Sequence, residues 1–263
     1  MQPRCQIVLL GDEKGVAEVA AEFGVAHIPD IDRTPYGTPL VSEIFSKTYN
    51  LFPAARMCYV NGDIILRQDL IQATRQLQHK RFVLVARRTN ITLSEEVNIT
   101  GGNYPSGLLG GMELDSECAI DMFLFTPHKA LINLPDFSVG RPAWDNWFLY
   151  NAWLHKFMVI DATNIVSVLH QRHDYNHVPA ARGNGYEGPE GDANRILAGG
   201  SWDTLFSLMD CTHVFDERGL RVARDRAHVE HRVDRMSRLR PGFYKVLGSW
   251  KLRTLACWLN PWV

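Results

Sequence analysis

Short apolar runs separated by amphipathic stretches set the rhythm of this chain. Residues 6–10 (QIVLL) stop at Gly11 and read as a buried strand. Over 13–23 the apolar positions Val16, Val19, Ala20 and Phe23 recur at three- and four-residue spacing, a helical period. Residues 25–28 are a second short strand closed by Pro29, the polar loop 30–39 follows, and 40–50 reads as a helix. An apolar strand at 57–60 runs into the polar triplet Asn61-Gly62-Asp63 and then into Ile64, Ile65 and Leu66. Beyond it the pattern predicts a helix over 70–77, a strand over 81–88 (RFVLVARR) ending in Arg87 and Arg88, a strand over 119–126 with Asp121 near its start, and a strand over 158–160. Strands alternating with helices of about ten residues predict an α/β fold, a Rossmann-like, mostly parallel sheet flanked by helices with ligand loops along one edge.

The intervening segments carry less periodicity. Residues 89–117 hold the Gly-rich run SEEVNITGGNYPSGLLGG, which has neither the GK[ST] of a phosphate loop nor a GxGxxG turn after a strand, and read as a surface loop or lid. The aromatic segment 139–157 predicts a helix with Pro142 in its first turn and Trp147, Tyr150, Asn151 and Leu154 on one face. A Gly-rich loop over 180–200 ends the main domain, 1–200. Residues 201–263 then form an α/β-hairpin extension, with two strands within 212–224 turning around 217–219 and a tail that interleaves Arg and Lys with Trp, Phe and Leu. Such a tail suits a membrane interface, and equally a helix packed on the domain with snorkelling basic side chains, the reading preferred here.

With 263 residues, 46% of them hydrophobic, the chain can bury a sizeable core. Lys plus Arg total 28 against 29 Asp plus Glu, so no overall field attracts nucleic acid. Five scattered cysteines without a CxxC pair argue against a disulfide framework and a Cys-rich zinc site, and fit a reducing, cytoplasmic setting. The apolar run near the start is too short for a signal-peptide core, and none approaches the roughly 20 residues that span a bilayer.

The triplet at 61–63 admits two readings. Asn-Gly between apolar runs is a strong signal for a tight hairpin, with Asp63 merely solvated. In a parallel α/β sheet the same residues would deliver the Asp63 carboxylate to the carboxyl edge, where ligands bind.

The order of three motifs bears on this choice: Tyr59-Val60-Asn61-Gly62-Asp63-Ile64-Ile65, then Gly140-Arg141-Pro142-Ala143-Trp144-Asp145-Asn146-Trp147, then His170-Gln171-Arg172-His173-Asp174-Tyr175. Together, over about residues 5–178, they resemble the GT-A-type nucleotide-sugar glycosyltransferases, the family 2-like group of bacterial polysaccharide enzymes. The resemblance implies a GT-A-like fold and transfer of a sugar from a nucleotide-sugar donor to a hydroxyl of a glycan or lipid-linked acceptor, inverting and Mn²⁺- or Mg²⁺-dependent, in surface polysaccharide or glycoconjugate synthesis. It places Asp63 and His173 at the metal, and Asp32, Asn61, Asp63, Arg87 and Arg88 on the donor and its nucleotide. Asp145 becomes the catalytic base, with Asp121 and Trp144 on the acceptor side. Asn61 stands where that family often carries an acid, so one metal-attracting charge is missing. A cytoplasmic protein, peripheral at the inner membrane face where its tail meets lipid, fits this activity.

The residues keep bland readings alongside. Asp145 in a first helical turn complements the helix dipole, paired arginines at a strand end are often solvated, and aromatics at helical spacing are commonly core, the reading taken for Trp147. Two other functions stay open: a nucleotide- or glycan-binding module without turnover, which Asn61 favours, and a metal-dependent hydrolase gathering His170, His173 and His177 along a helix.

Overall fold

The computed structural model of the chain describes residues 5–54, 56–93, 109–172 and 187–262. Its elements begin with β1 (Val8–Leu10), α1 (Val16–Phe23), β2 (Ala26–Ile28), α2 (Val41–Leu51), β3 (Met57–Val60), β4 (Ile64–Leu66) and α3 (Gln68–Gln76). Next come β5 (Phe82–Val85), β6 (Arg88–Leu93), β7 (Leu109–Leu114), β8 (Met122–Phe125), α4 (Lys129–Ile132), α5 (Trp144–Leu154), β9 (Met158–Asp161) and β10 (Val168–Gln171). The chain continues through α6 (Pro189–Leu197), β11 (His213–Asp216), β12 (Gly219–Val222), α7 (Arg226–Leu239), α8 (Pro241–Leu247) and α9 (Trp250–Leu259). The fold is mixed α/β, and the described residues fall into two compact units.

The smaller unit takes the described residues of 1–55, 127–144 and 175–200. Parallel strands β1 and β2 enclose α1, a βα start as the apolar pattern predicts. The polar segment after β2 is held by a buried acid: Glu190 on α6 accepts from Thr34 Oγ1 (2.5 Å), Thr38 Oγ1 (2.9 Å) and Arg141 Nε (2.9 Å). Asn194, one helical turn on, bonds both the N–H and the C=O of Ser138. The expected loop over 180–200 is therefore a helix from Pro189 on, with proline in the first turn where its missing N–H costs nothing.

The larger unit takes the described residues of 56–126, 145–174 and 201–263. Its main sheet has the order β12-β11-β9-β5-β8-β3. Strands β3, β5, β9 and β11 run one way and β8 and β12 against them, so β5, β9 and β11 are parallel neighbours while β12, β8 and β3 pair antiparallel, and the sheet is mixed rather than mostly parallel. Strands β5 (FVLV) and β8 (MFLF) are buried on both faces, which explains their continuous apolar runs. One face packs Phe82, Leu84, Met122 and Leu124 with Ala73 and Leu77, the end of α3 and the residue after it. On the other, Phe148 of α5 meets Phe123 and Phe125 edge-on at 5.3 and 5.5 Å.

Several expectations change here. The segment after residue 200 is no separate extension: β11 pairs with β9 in the main sheet, although the hairpin β11–β12 forms as read, with Gly219 at φ 90. The run 81–88 is two strands, because the chain leaves the main sheet after Val85 and Arg88 opens β6. Within 89–117 the described residues carry β6 and β7, paired antiparallel, rather than a plain loop; positions 94–108 lie outside the described residues. Pro142 precedes α5, which starts at Trp144, so it is not a first-turn residue.

A second sheet, order β4-β10-β6-β7, is threaded from the first. The chain leaves the carboxyl edge of the main sheet three times, through residues 61–63 into β4, 86–87 into β6 and 162–167 into β10. It crosses back over that edge directly from β7 through residues 115–121 into β8, whereas β4 is followed by α3 before β5 and β10 by α6 before β11. Most of the polar residues that matter below sit in this seam or on the strands it joins; Asp145 lies in the first turn of α5.

Candidate functional site

The triplet Asn61-Gly62-Asp63 is the first crossing of the seam. β3 pairs with β8 and β4 with β10, so the two apolar runs flanking the triplet belong to different sheets. Neither Asn61 nor Gly62 has a positive φ, which a tight Asn-Gly hairpin requires at both positions. The hairpin reading is therefore replaced by the edge reading, and Asp63 is the last residue before β4.

From Tyr59 the hydrogen bonds run continuously across the seam. The Tyr59 hydroxyl donates to Asn61 Oδ1 (2.9 Å), and Asn61 Nδ2 donates to Asp121 Oδ1 (2.8 Å). The other Asp121 oxygen accepts from Arg88 Nη1 at 3.0 Å. Arg88 Nε and Asn90 Nδ2 both donate to Asp115 Oδ2 at 2.8 Å. Arg88 and Asn90 are two apart on β6 and so share a strand face.

This arrangement decides a histidine tautomer. Asp115 titrates at about 2, because bonds from Asn90, the Ser116 N–H and Arg88 overcome the burial that would raise it. An ionised carboxylate only accepts, so Asn90 must turn its NH₂ toward Asp115 and leave Oδ1 facing His170 Nδ1 at 3.0 Å. His170 Nδ1 therefore carries hydrogen, and Nε2 points at Asp63 Oδ2, 3.3 Å away.

Three carboxyls converge on Tyr59. The charges of Asp121, Asp145 and Asp63, after burial itself, hold the Tyr59 phenol above its ordinary value. Asp121 is raised by burial against the pull of Arg88. Asp145, in the first turn of α5, is half-buried. Burial, with the Asp121 charge behind it, pushes its carboxyl up to about 7 against a bond from the Asn146 N–H (2.8 Å) and the field of Arg88. A carboxyl titrating near neutrality at a helix start can exchange protons with a bound hydroxyl. Just ahead of it, Ala143 adopts φ 86, a left-handed conformation uncommon outside glycine, at the turn into α5.

The structure brings Asn61, Asp63, Arg88, Asp121 and Asp145 into one region, and adds Tyr59, Asn90, Asp115 and His170. Arg88 is turned inward as the brace between Asp115 and Asp121. Arg87 lies alongside, with Nε on the Asp115 carbonyl, its N–H on Thr163 Oγ1 (3.0 Å) and Nη1 3.6 Å from Glu117. Asp32 is an exposed residue of the smaller unit, where its carbonyl accepts from Leu40. Trp144 is corrected: it is 4% exposed and packs edge-on against Phe45 at 6.4 Å, so it is core rather than a sugar platform, while Trp147 is only half-buried. His173 and His177 lie outside the described residues, and His170 sits on a strand, not on the helix that a three-histidine site presupposes.

Asp63 and His170 form a two-donor set. Among the described residues, no group of three or more His, Cys, Asp or Glu is gathered to hold a metal ion. One carboxylate oxygen and one imidazole nitrogen are donors that would suit a divalent cation such as Mn²⁺ or Mg²⁺. Among the described residues no helix is long and apolar enough to cross a membrane. No protein-family model matches the chain, and no curated protein matches it.

The histidine at Asp63 is what sequence reasoning missed. His170 was legible only as one of three histidines. Its selection depends on β10 lying antiparallel to β4, with His170 opposite Ile64, the residue after Asp63.

Proposed function

We propose that this chain is a GT-A-type glycosyltransferase that moves a sugar from a nucleotide-sugar donor to a hydroxyl of a glycan or lipid-linked acceptor, with inversion and with a divalent cation. The observation that carries the reading is the Asp63–His170 pair, 3.3 Å apart where the triplet enters β4, together with Asp145 at the start of α5, whose carboxyl burial and the Asp121 charge push up to about 7. Asp145 in its ionised form takes the proton of the acceptor hydroxyl while that oxygen bonds to the anomeric carbon and the bond to the diphosphate breaks. Asp63 and His170 would hold Mn²⁺ or Mg²⁺, which supplies positive charge to the leaving diphosphate. Asn61 is not free to replace a second acid, since both ends of its amide are bound to Tyr59 and Asp121; it fixes Asp121 instead. The Asp121 charge raises the Asp145 carboxyl and the Arg88 charge lowers it.

A test is donor hydrolysis across UDP-, GDP-, dTDP- and CMP-sugars, with Mn²⁺ or EDTA, for the native protein, Asp63→Ala and Asp145→Asn. Nucleotide release that needs both the metal and Asp63 supports the transferase. The inward-turned Asn61 favours a second reading, a module that binds a sugar nucleotide without turnover. Tight binding with no release in any condition would select it, and no binding at all would sink both.

A further inference from the structure

The last two helices are built inside out. In α9 the side turned to the protein carries Cys257, wholly buried and 2.9 Å from the Tyr244 hydroxyl, with the half-buried Arg253 and Thr254. Its outward side carries Leu252, Leu255, Trp258 and Leu259, between 44% and 58% exposed, with Lys251 among them. These five lie within about 120° of a helical wheel at 100° per residue. α8 adds Phe243 and Val246, three apart, the latter 87% exposed. A surface helix ordinarily turns such a stripe inward. Here the buried Arg232 fixes the region instead, donating to the carbonyls of Cys257, Cys211 and Ala223.

The charge of this segment names the occupant. From residue 240 onward the sequence has Arg240, Lys245, Lys251 and Arg253 and no Asp or Glu, in a chain whose net charge is −1. Lys245 and Lys251 are exposed, and the exposed Arg224 lies over the Trp258 ring at 4.7 Å. A second copy of an all-basic face would repel the first, and lysine is depleted at the centre of protein interfaces. Leucines with tryptophans at the rim and lysines around them match the boundary between headgroups and acyl chains. α9, ten residues, is too short to span a bilayer and suits one lying in its plane.

We propose that the outward face of α8 and α9 docks the protein on an anionic phospholipid bilayer. This stands whether or not the transferase reading does, because it rests on other residues and is read without any activity.

The experiment is flotation of the whole chain with vesicles of phosphatidylcholine alone and of equimolar phosphatidylcholine and phosphatidylglycerol, at low and high salt. The bound fraction on the anionic vesicles should exceed that on the neutral ones by about tenfold and fall with salt. The double variant Leu252→Glu, Leu255→Glu should lose about tenfold or more. Ile196→Glu, which changes an exposed apolar residue on α6, should bind as the native protein does. Lys245→Glu with Lys251→Glu should remove the preference for anionic lipid. Equal binding to both vesicle types, or native-like binding by both double variants, would overturn the proposal. So would a native dimer that the leucine variant dissociates, since the face would then belong to a second copy.

Discussion

The His170 imidazole and the Asp63 carboxylate face one another at 3.3 Å, with Asn90 on the far nitrogen of the ring. Asn90 thereby fixes which nitrogen faces Asp63, and a ligand held in one orientation loses less freedom when it binds a cation. Asn90→Ala should raise the Mn²⁺ concentration needed for half-maximal nucleotide release by about tenfold, and His170→Ala by more. Mn²⁺ binding followed by electron paramagnetic resonance with the nucleotide present should move in parallel. An unchanged Mn²⁺ requirement in both variants would remove this pair from the cation site.

If the transferase proposal holds, Asp145 serves as base only when ionised, so the rate should climb as pH rises through about 7 and then level. Asp145→Asn should lower kcat by about 10²–10⁴-fold and abolish that limb while donor binding persists. Stability should follow the opposite course. The folded carboxyl keeps its proton to a higher pH than the unfolded one, so stability falls between the unfolded value near 4 and about 7. At pH 8 Asp145→Asn should therefore be more stable than the native protein, by about 1–3 kcal/mol in urea unfolding.

Arg88 braces two carboxylates, Asp115 and Asp121, and all three side chains are mostly buried. Arg88→Met would leave both acids without their cation and should cost about 2–4 kcal/mol at pH 7. Asp115 has a depressed value, so its contribution is complete above the unfolded value near 4 and is lost as pH falls toward about 2. In the variant that acid-side loss should shrink, which urea midpoints at pH 7 and pH 3 would reveal. Equal destabilisation at both pH values would assign the effect to packing.

Ala143 holds φ 86 at the turn into α5. A Cβ in that conformation costs about 1–2 kcal/mol, partly offset by the greater freedom glycine has when unfolded. Ala143→Gly should raise stability by about 0.5–1 kcal/mol, seen as a higher Tm. A lower Tm would mean that the methyl group, 3% exposed, contributes more through packing than the turn costs.

What the sequence by itself determined is local. The apolar runs of β5 and β8 could only be buried strands, the triplet at 61–63 had to interrupt a strand, and Asp145 had to stand near the start of a helix. Each follows from periodicity or from a turn residue, which act over a few positions. The tertiary structure alone decided that the triplet joins two sheets, that Arg88 opens a new strand with its side chain between two acids, and that His170 meets Asp63. It also turned Trp144 into the core and the leucines of α9 outward. Register between strands a hundred residues apart decides such pairings, and the burial that pushes Asp145 to about 7 exists only once those strands are assembled.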